Sequence, residues 1–102
     1  MLHFQTIVSR KTPFDGRLEI PESLSIRLAD APSALTVRLE GAESPVNLEV
    51  MACHCAKSAR PTQHEHHFLS AEILRALPPG APVLLAVDLE SGQVRIDIER
   101  QV

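Results

Sequence analysis

Apolar residues recur at every second position in short runs separated by turn-forming residues, and that period limits the chain to a sheet fold. Leu2, Phe4, Thr6 and Val8 alternate with polar neighbours, as do Leu18 and Ile20. The same period runs through Leu24, Ile26 and Leu28, through Leu35, Val37 and Leu39, through Val46, Leu48 and Val50, and through Val94, Ile96 and Ile98. Successive side chains of a strand point to opposite faces, so each run reads as a half-buried strand. Val83 to Leu89 is almost continuously apolar and reads as a strand. Turn signals punctuate the runs: Phe14-Asp15-Gly16, Asp30-Ala31-Pro32-Ser33, Gly41 to Pro45, and Glu90-Ser91-Gly92-Gln93.

These spacings predict an all-β fold, an antiparallel β-sandwich of about seven strands. One short helix is expected between strands 5 and 6. There Ser70 can cap, Glu72 sits in the first turn, Leu69 and Leu74 match a hydrophobic staple, and Pro78-Pro79-Gly80 stops the helix. Ile73, Leu74 and Leu77 would be its buried stripe. A second start, at Thr62-Gln63-His64-Glu65, also fits a capping box and would put His64 and His67 on one helical face. At 102 residues the chain is one domain, 1–102, long enough to bury a core without staples.

One stretch breaks the pattern. Cys53 to His67 reads Cys-His-Cys-Ala-Lys-Ser-Ala-Arg-Pro-Thr-Gln-His-Glu-His-His and holds both cysteines and four of the five histidines. Its middle, Ala56 to Gln63, shows no period and carries Pro61, so 53–67 is expected to be a metal-binding loop. Thiolate and imidazole are the ligands that zinc and copper prefer. Cys53 and Cys55 would leave a strand on one face, and His64 and His66 would converge if extended. Together they offer the S₂N₂ set of a closed structural zinc site, with His67 in reserve. His54 points away from the two cysteines in a strand, and His3 is distant in sequence. A disulfide fits less well, because the Cα atoms of a Cys-x-Cys strand lie roughly 6.5–7 Å apart, at the limit for a bridge. The competing reading makes the cysteines small core residues and the histidines a solvated loop.

Two other chemistries share the stretch. Met51, Cys53 and Cys55 line three sulfurs along one strand face, which suits a copper(I) or zinc carrier or sensor, although methionine is more often a packing residue. Glu65 stands between two histidines and could be the base of a small zinc hydrolase. No Ser/His/Asp set with recognisable spacing and no Gly-rich phosphate loop accompanies it. A binding or assembly module is therefore expected rather than an enzyme.

Composition narrows the partners. Net charge is −3 and there is no Trp or Tyr, so neither a basic field for phosphates nor a base-stacking platform is available, and no nucleic-acid partner is expected. The longest apolar run, Val83 to Val87, is too short to span a bilayer, so no membrane partner is expected either. The N-terminal Met1-Leu2-His3-Phe4-Gln5-Thr6 lacks the charged and apolar regions of a signal peptide, which makes the cytoplasm the expected compartment. A metal ion is the predicted partner, and exposed strand edges could add a protein partner or a second copy. The run Asp15-Gly16-Arg17-Leu18-Glu19-Ile20-Pro21-Glu22-Ser23-Leu24 resembles the swapped-hairpin DNA-binding motif of bacterial transition-state regulators. The basic residues that follow in that motif are absent here.

Overall fold

The computed structural model describes residues 1–55 and 62–99, with the backbone alone at 53–55 and 62–64. Leu2–Ile7 forms β1, Arg17–Ile20 β2, Thr36–Leu39 β3, Ala42–Pro45 β4, Asn47–Cys55 β5, Thr62–Ser70 β6, Pro82–Asp88 β7 and Gln93–Ile98 β8. Two helices join them, α1 at Thr12–Asp15 and α2 at Glu22–Ala29, with a 3-10 turn at Glu72–Ala76. The strands make two sheets, one in the order β1-β7-β8-β3-β4 and one in the order β2-β6-β5. All pairings are antiparallel except β3 with β8. The fold is all-β and sandwich-like, as the alternation predicts.

The core lies between the sheets. Val37, Leu39, Val83, Leu85, Val87, Val94 and Ile96 come from the larger sheet, and Leu18, Ile20 and Leu69 from the smaller. Leu24 and Leu28 of α2, with Leu74 and Leu77 around the 3-10 turn, fill out the same cluster. The sheets meet where Thr6 Oγ1 of β1 donates to the Glu19 carbonyl of β2 at 3.1 Å. Among the described residues no helix is long and apolar enough to cross a membrane.

The elements differ from expectation in four places. Leu24, Ile26 and Leu28 belong to a helix and not a strand. A Leu24/Leu28 pair at i, i+4 satisfies both periods, and burial decides between them. Leu24, Ser25 and Leu28 are buried while Ile26 is 56% exposed, as a helix stripe requires. Pro21 precedes the first turn with φ −62°, has no N–H to give a ladder, and so suits helix entry. Gly41 to Pro45, where the sequence predicts a turn, contains β4. The helix expected from Ser70 is only a 3-10 turn, because Ser70 still pairs with Arg17 and Asn47 as the last residue of β6. Finally, the histidine run is a strand. Residues 62–70 pair with 47–55 through nine positions, and only 56–61 of the expected loop lie outside the described residues. Counting every histidine as surface hides the period: His67 is buried beside Leu69, and His66 and Phe68 take the other face.

The β7–β8 turn approaches the segment before β3 closely. Gly92 has φ +73°, its carbonyl accepts from Thr36 N–H at 2.9 Å, and a Cβ on it would sit 2.6 Å from the Ala34 carbonyl oxygen. Gly92→Ala is expected to cost roughly 2–3 kcal/mol, as strain at a left-handed backbone combines with a backbone clash. Gly41→Ala shares the positive φ but meets nothing within 4 Å, so it serves as the control. Urea melts of the two variants check this, and equal losses would refute the close approach.

Candidate metal-binding face

The three-stranded sheet presents one face to the core and one to solvent. β2 pairs with β6 only from His67 to Ser70, so beyond His67 the β5–β6 ribbon continues without a described third strand. Met51 on the outer face is 45% exposed, and Val50, which alternation alone would bury, is 51% exposed. Val50 stands opposite the buried His67 but on β5, at the edge of the sheet, so the covering layer reaches β6 there and not β5.

Register sorts the candidate residues. Met51 lies opposite His66, Ala52 opposite Glu65, Cys53 opposite His64, His54 opposite Gln63, and Cys55 opposite Thr62. Cross-strand partners share a face, and faces alternate along each strand. Positions 51, 53, 55, 64 and 66 therefore share the outer face with Glu49 and Phe68. Positions 52, 54, 65 and 67 share the inner one. The parity that sequence assigns to Cys53, Cys55, His64 and His66 thus holds in one ribbon, with Cys53 and His64 directly opposed. Cys55 and His66 are four residues apart along the ladder, about 13 Å at about 3.3 Å per residue. A cysteine and a histidine on one zinc span at most roughly 11 Å between Cα atoms, so in a regular ladder these two do not share an ion.

The described part of the outer face is a shallow cleft of about 340 Å³, lined by Met51, His66, Phe68, Glu19, Arg17 and Lys11 among others. His66 Nδ1 lies 2.8 Å from Glu19 Oε2, and its ring centroid is 6.3 Å from that of Phe68. Arg17 Nε donates to Glu49 Oε2 at 2.7 Å. Glu19 gave no sequence signal: it reads as one more polar position of β2, and only the pairing of β2 with β6 brings it to the histidine.

His67 is elsewhere. It is 8% exposed on the inner face, and its Nδ1 lies 2.7 Å from Ser25 Oγ of α2. Among the described residues its buried Nε2 has no hydrogen-bond partner, and Glu65 Oε2 stands 4.0 Å away. Serine, histidine and carboxylate thus come together with no sequence spacing to announce them. Ser25 is 3% exposed, however, which denies a substrate its Oγ. The pair ties α2 to β6. Glu65, on the inner face, is not on the face of His64 and His66. His3 is exposed on β1 of the other sheet, opposite Ala86.

Among the described residues, no three His, Cys, Asp or Glu side chains gather as a metal site. The chain matches no family model, no curated protein and no solved structure.

Proposed function

We propose that the chain is a small metal-binding module, holding one ion of the zinc or copper kind on the outer face of the β5–β6 ribbon. The observation that carries this reading is the register that sets Cys53 against His64, with Cys55 and His66 on the same face to either side. A two-stranded ribbon is at best marginally stable in water, and an ion bridging its strands would stabilise it. Zinc through Cys53, Cys55 and His64 is the plain form of the reading, with His66 as the alternative to Cys55. His67 is left to its bond with Ser25. The ordered ribbon is then a surface for binding or assembly, and the thiols stay available in a reducing cytoplasm.

Elemental analysis of untagged protein, purified without chelators and paired with thiol titration, tests this. One ion per chain, with thiols shielded until a chelator is added, is the expected result. No metal and two freely reactive thiols would remove the reading.

A further inference from the structure

α1 holds an aromatic ring out in solvent on a well-fixed turn. Phe14 is 82% exposed, whereas Phe4 and Phe68 are half-buried in strands. Thr12 is fully buried and its Oγ1 donates to the Arg17 carbonyl at 2.7 Å. Arg75 Nε donates to the Pro13 carbonyl at 3.2 Å. The Pro79-Gly80 turn is fastened just as firmly. Gly80 N–H donates to the Val8 carbonyl at 2.8 Å, and Val8 N–H to the Ala81 carbonyl at 2.9 Å. These two walls bound a cleft of about 650 Å³, lined by Arg10, Pro13, Phe14, Pro79 and Gly80. Exposed apolar residues standing singly are ordinary, but here a ring and two prolines gather around one cleft.

Charge limits what the cleft can take. Its lining is apolar except for Arg10. Arg10 and Lys11, the residue after it, make no side-chain hydrogen bond or ion pair among the described residues. The acids nearby in α1 and the 3-10 turn are engaged: Asp15 Oδ1 accepts from Arg17 N–H at 2.9 Å, and Glu72 pairs with Arg75 at 2.7 Å. Uncompensated positive charge beside an apolar cleft is complementary to an apolar side chain next to a carboxylate. Aromatic residues and arginine are also the types enriched at protein interfaces. With Phe14 so exposed, the cleft is too open to enclose most of a small molecule's surface, as small-molecule sites do. One ring and two cations around a concave surface make a weak anchor for a bilayer.

We infer that this cleft docks a segment of a partner protein in which an apolar side chain is flanked by Asp or Glu. The apolar side chain enters between Phe14 and Pro79, and the carboxylate meets the Arg10 guanidinium. Lys11 adds attraction at longer range. Because both walls are already fixed, docking costs little ordering of this chain. The inference does not depend on an ion at the β5–β6 ribbon.

The test is selection of random short peptides, displayed on phage, against the immobilised full chain. Enriched peptides are then synthesised and measured by fluorescence polarisation. They should share an apolar residue flanked by Asp or Glu. Phe14→Ala should weaken their binding at least about tenfold, and Arg10→Ala about fivefold to tenfold. Ile26→Ala, exposed on α2 outside the cleft, should change it less than about twofold. Arg10 and Phe14 are exposed, so both variants should melt with the parent chain. Arg10→Glu should turn the selection toward peptides flanked by Lys or Arg, which a merely structural arginine would not do. No shared pattern, a pattern without acids, or peptides that bind Phe14→Ala as tightly as the parent would overturn the inference. Sedimentation with phosphatidylcholine–phosphatidylserine vesicles is the parallel arm. Vesicle binding lost in Phe14→Ala, with no peptide selected, would overturn it in favour of a membrane surface.

Discussion

Replacing Cys53 with serine is expected to empty the proposed metal site and leave the fold standing. Cys53 is central to every ligand set that the register allows, because it alone of the two cysteines is directly opposed by a histidine. A site of this kind is worth about 10–16 kcal/mol in apparent binding energy, so losing one of its ligands costs on the order of a hundredfold to a thousandfold in affinity. The core does not depend on it. Leu18, Leu69, Leu85 and Ile96 are packed between the sheets, away from the outer face. Stripped Cys53→Ser and stripped parent chain should therefore melt together, whereas added metal should raise only the parent's melting temperature. Amide exchange should be faster in the variant at 53–55 and 62–64 and unchanged in β7 and β8. One tightly held ion per chain in Cys53→Ser would dismiss the outer face as the site.

Leu69→Ala is expected to be the most damaging single change to the fold. Leu69 sits in the middle strand of the smaller sheet, opposite Leu18 on one side and Leu48 on the other, and is fully buried. Removing a buried leucine side chain costs about 2–5 kcal/mol, part transfer and part cavity. For a domain of this size that lowers the melting temperature by roughly 10–30 °C. Val50→Ala, two residues from Leu48 on the same face of β5, should cost far less, since Val50 is 51% exposed. Urea unfolding with an unchanged slope would report both as stability effects. A loss at Leu69 no larger than that at Val50 would mean that the small sheet is not packed on the large one there.

The contrast between Leu69 and Val50 also marks how far the sequence is legible. Both are apolar strand positions, yet Leu69 is core on the central strand while Val50 stands on the edge strand, outside the covering layer. Period-two alternation reports which residues share a face, not how far the covering layer extends. The helix at Glu22–Ala29 shows the same limit. Leu24 and Leu28 satisfy two periods at once, and the exposure of Ile26 that separates them is a tertiary fact. In the histidine run the polarity of His67 conceals a core position, which Ser25 makes tolerable by engaging one ring nitrogen.

The sequence by itself determined the all-β class, the strands at Arg17–Ile20, Pro82–Asp88 and Gln93–Ile98, and the shared parity of Cys53 with Cys55 and of His64 with His66. These follow from local geometry, because a strand alternates its side chains wherever it is placed. Only the tertiary structure decided that Cys53 faces His64, that Met51 faces His66, that Glu19 reaches the His66 ring and that His67 turns inward. Register is a relation between strands far apart in the chain. It is set by which faces the core can bury, and no single segment contains that information.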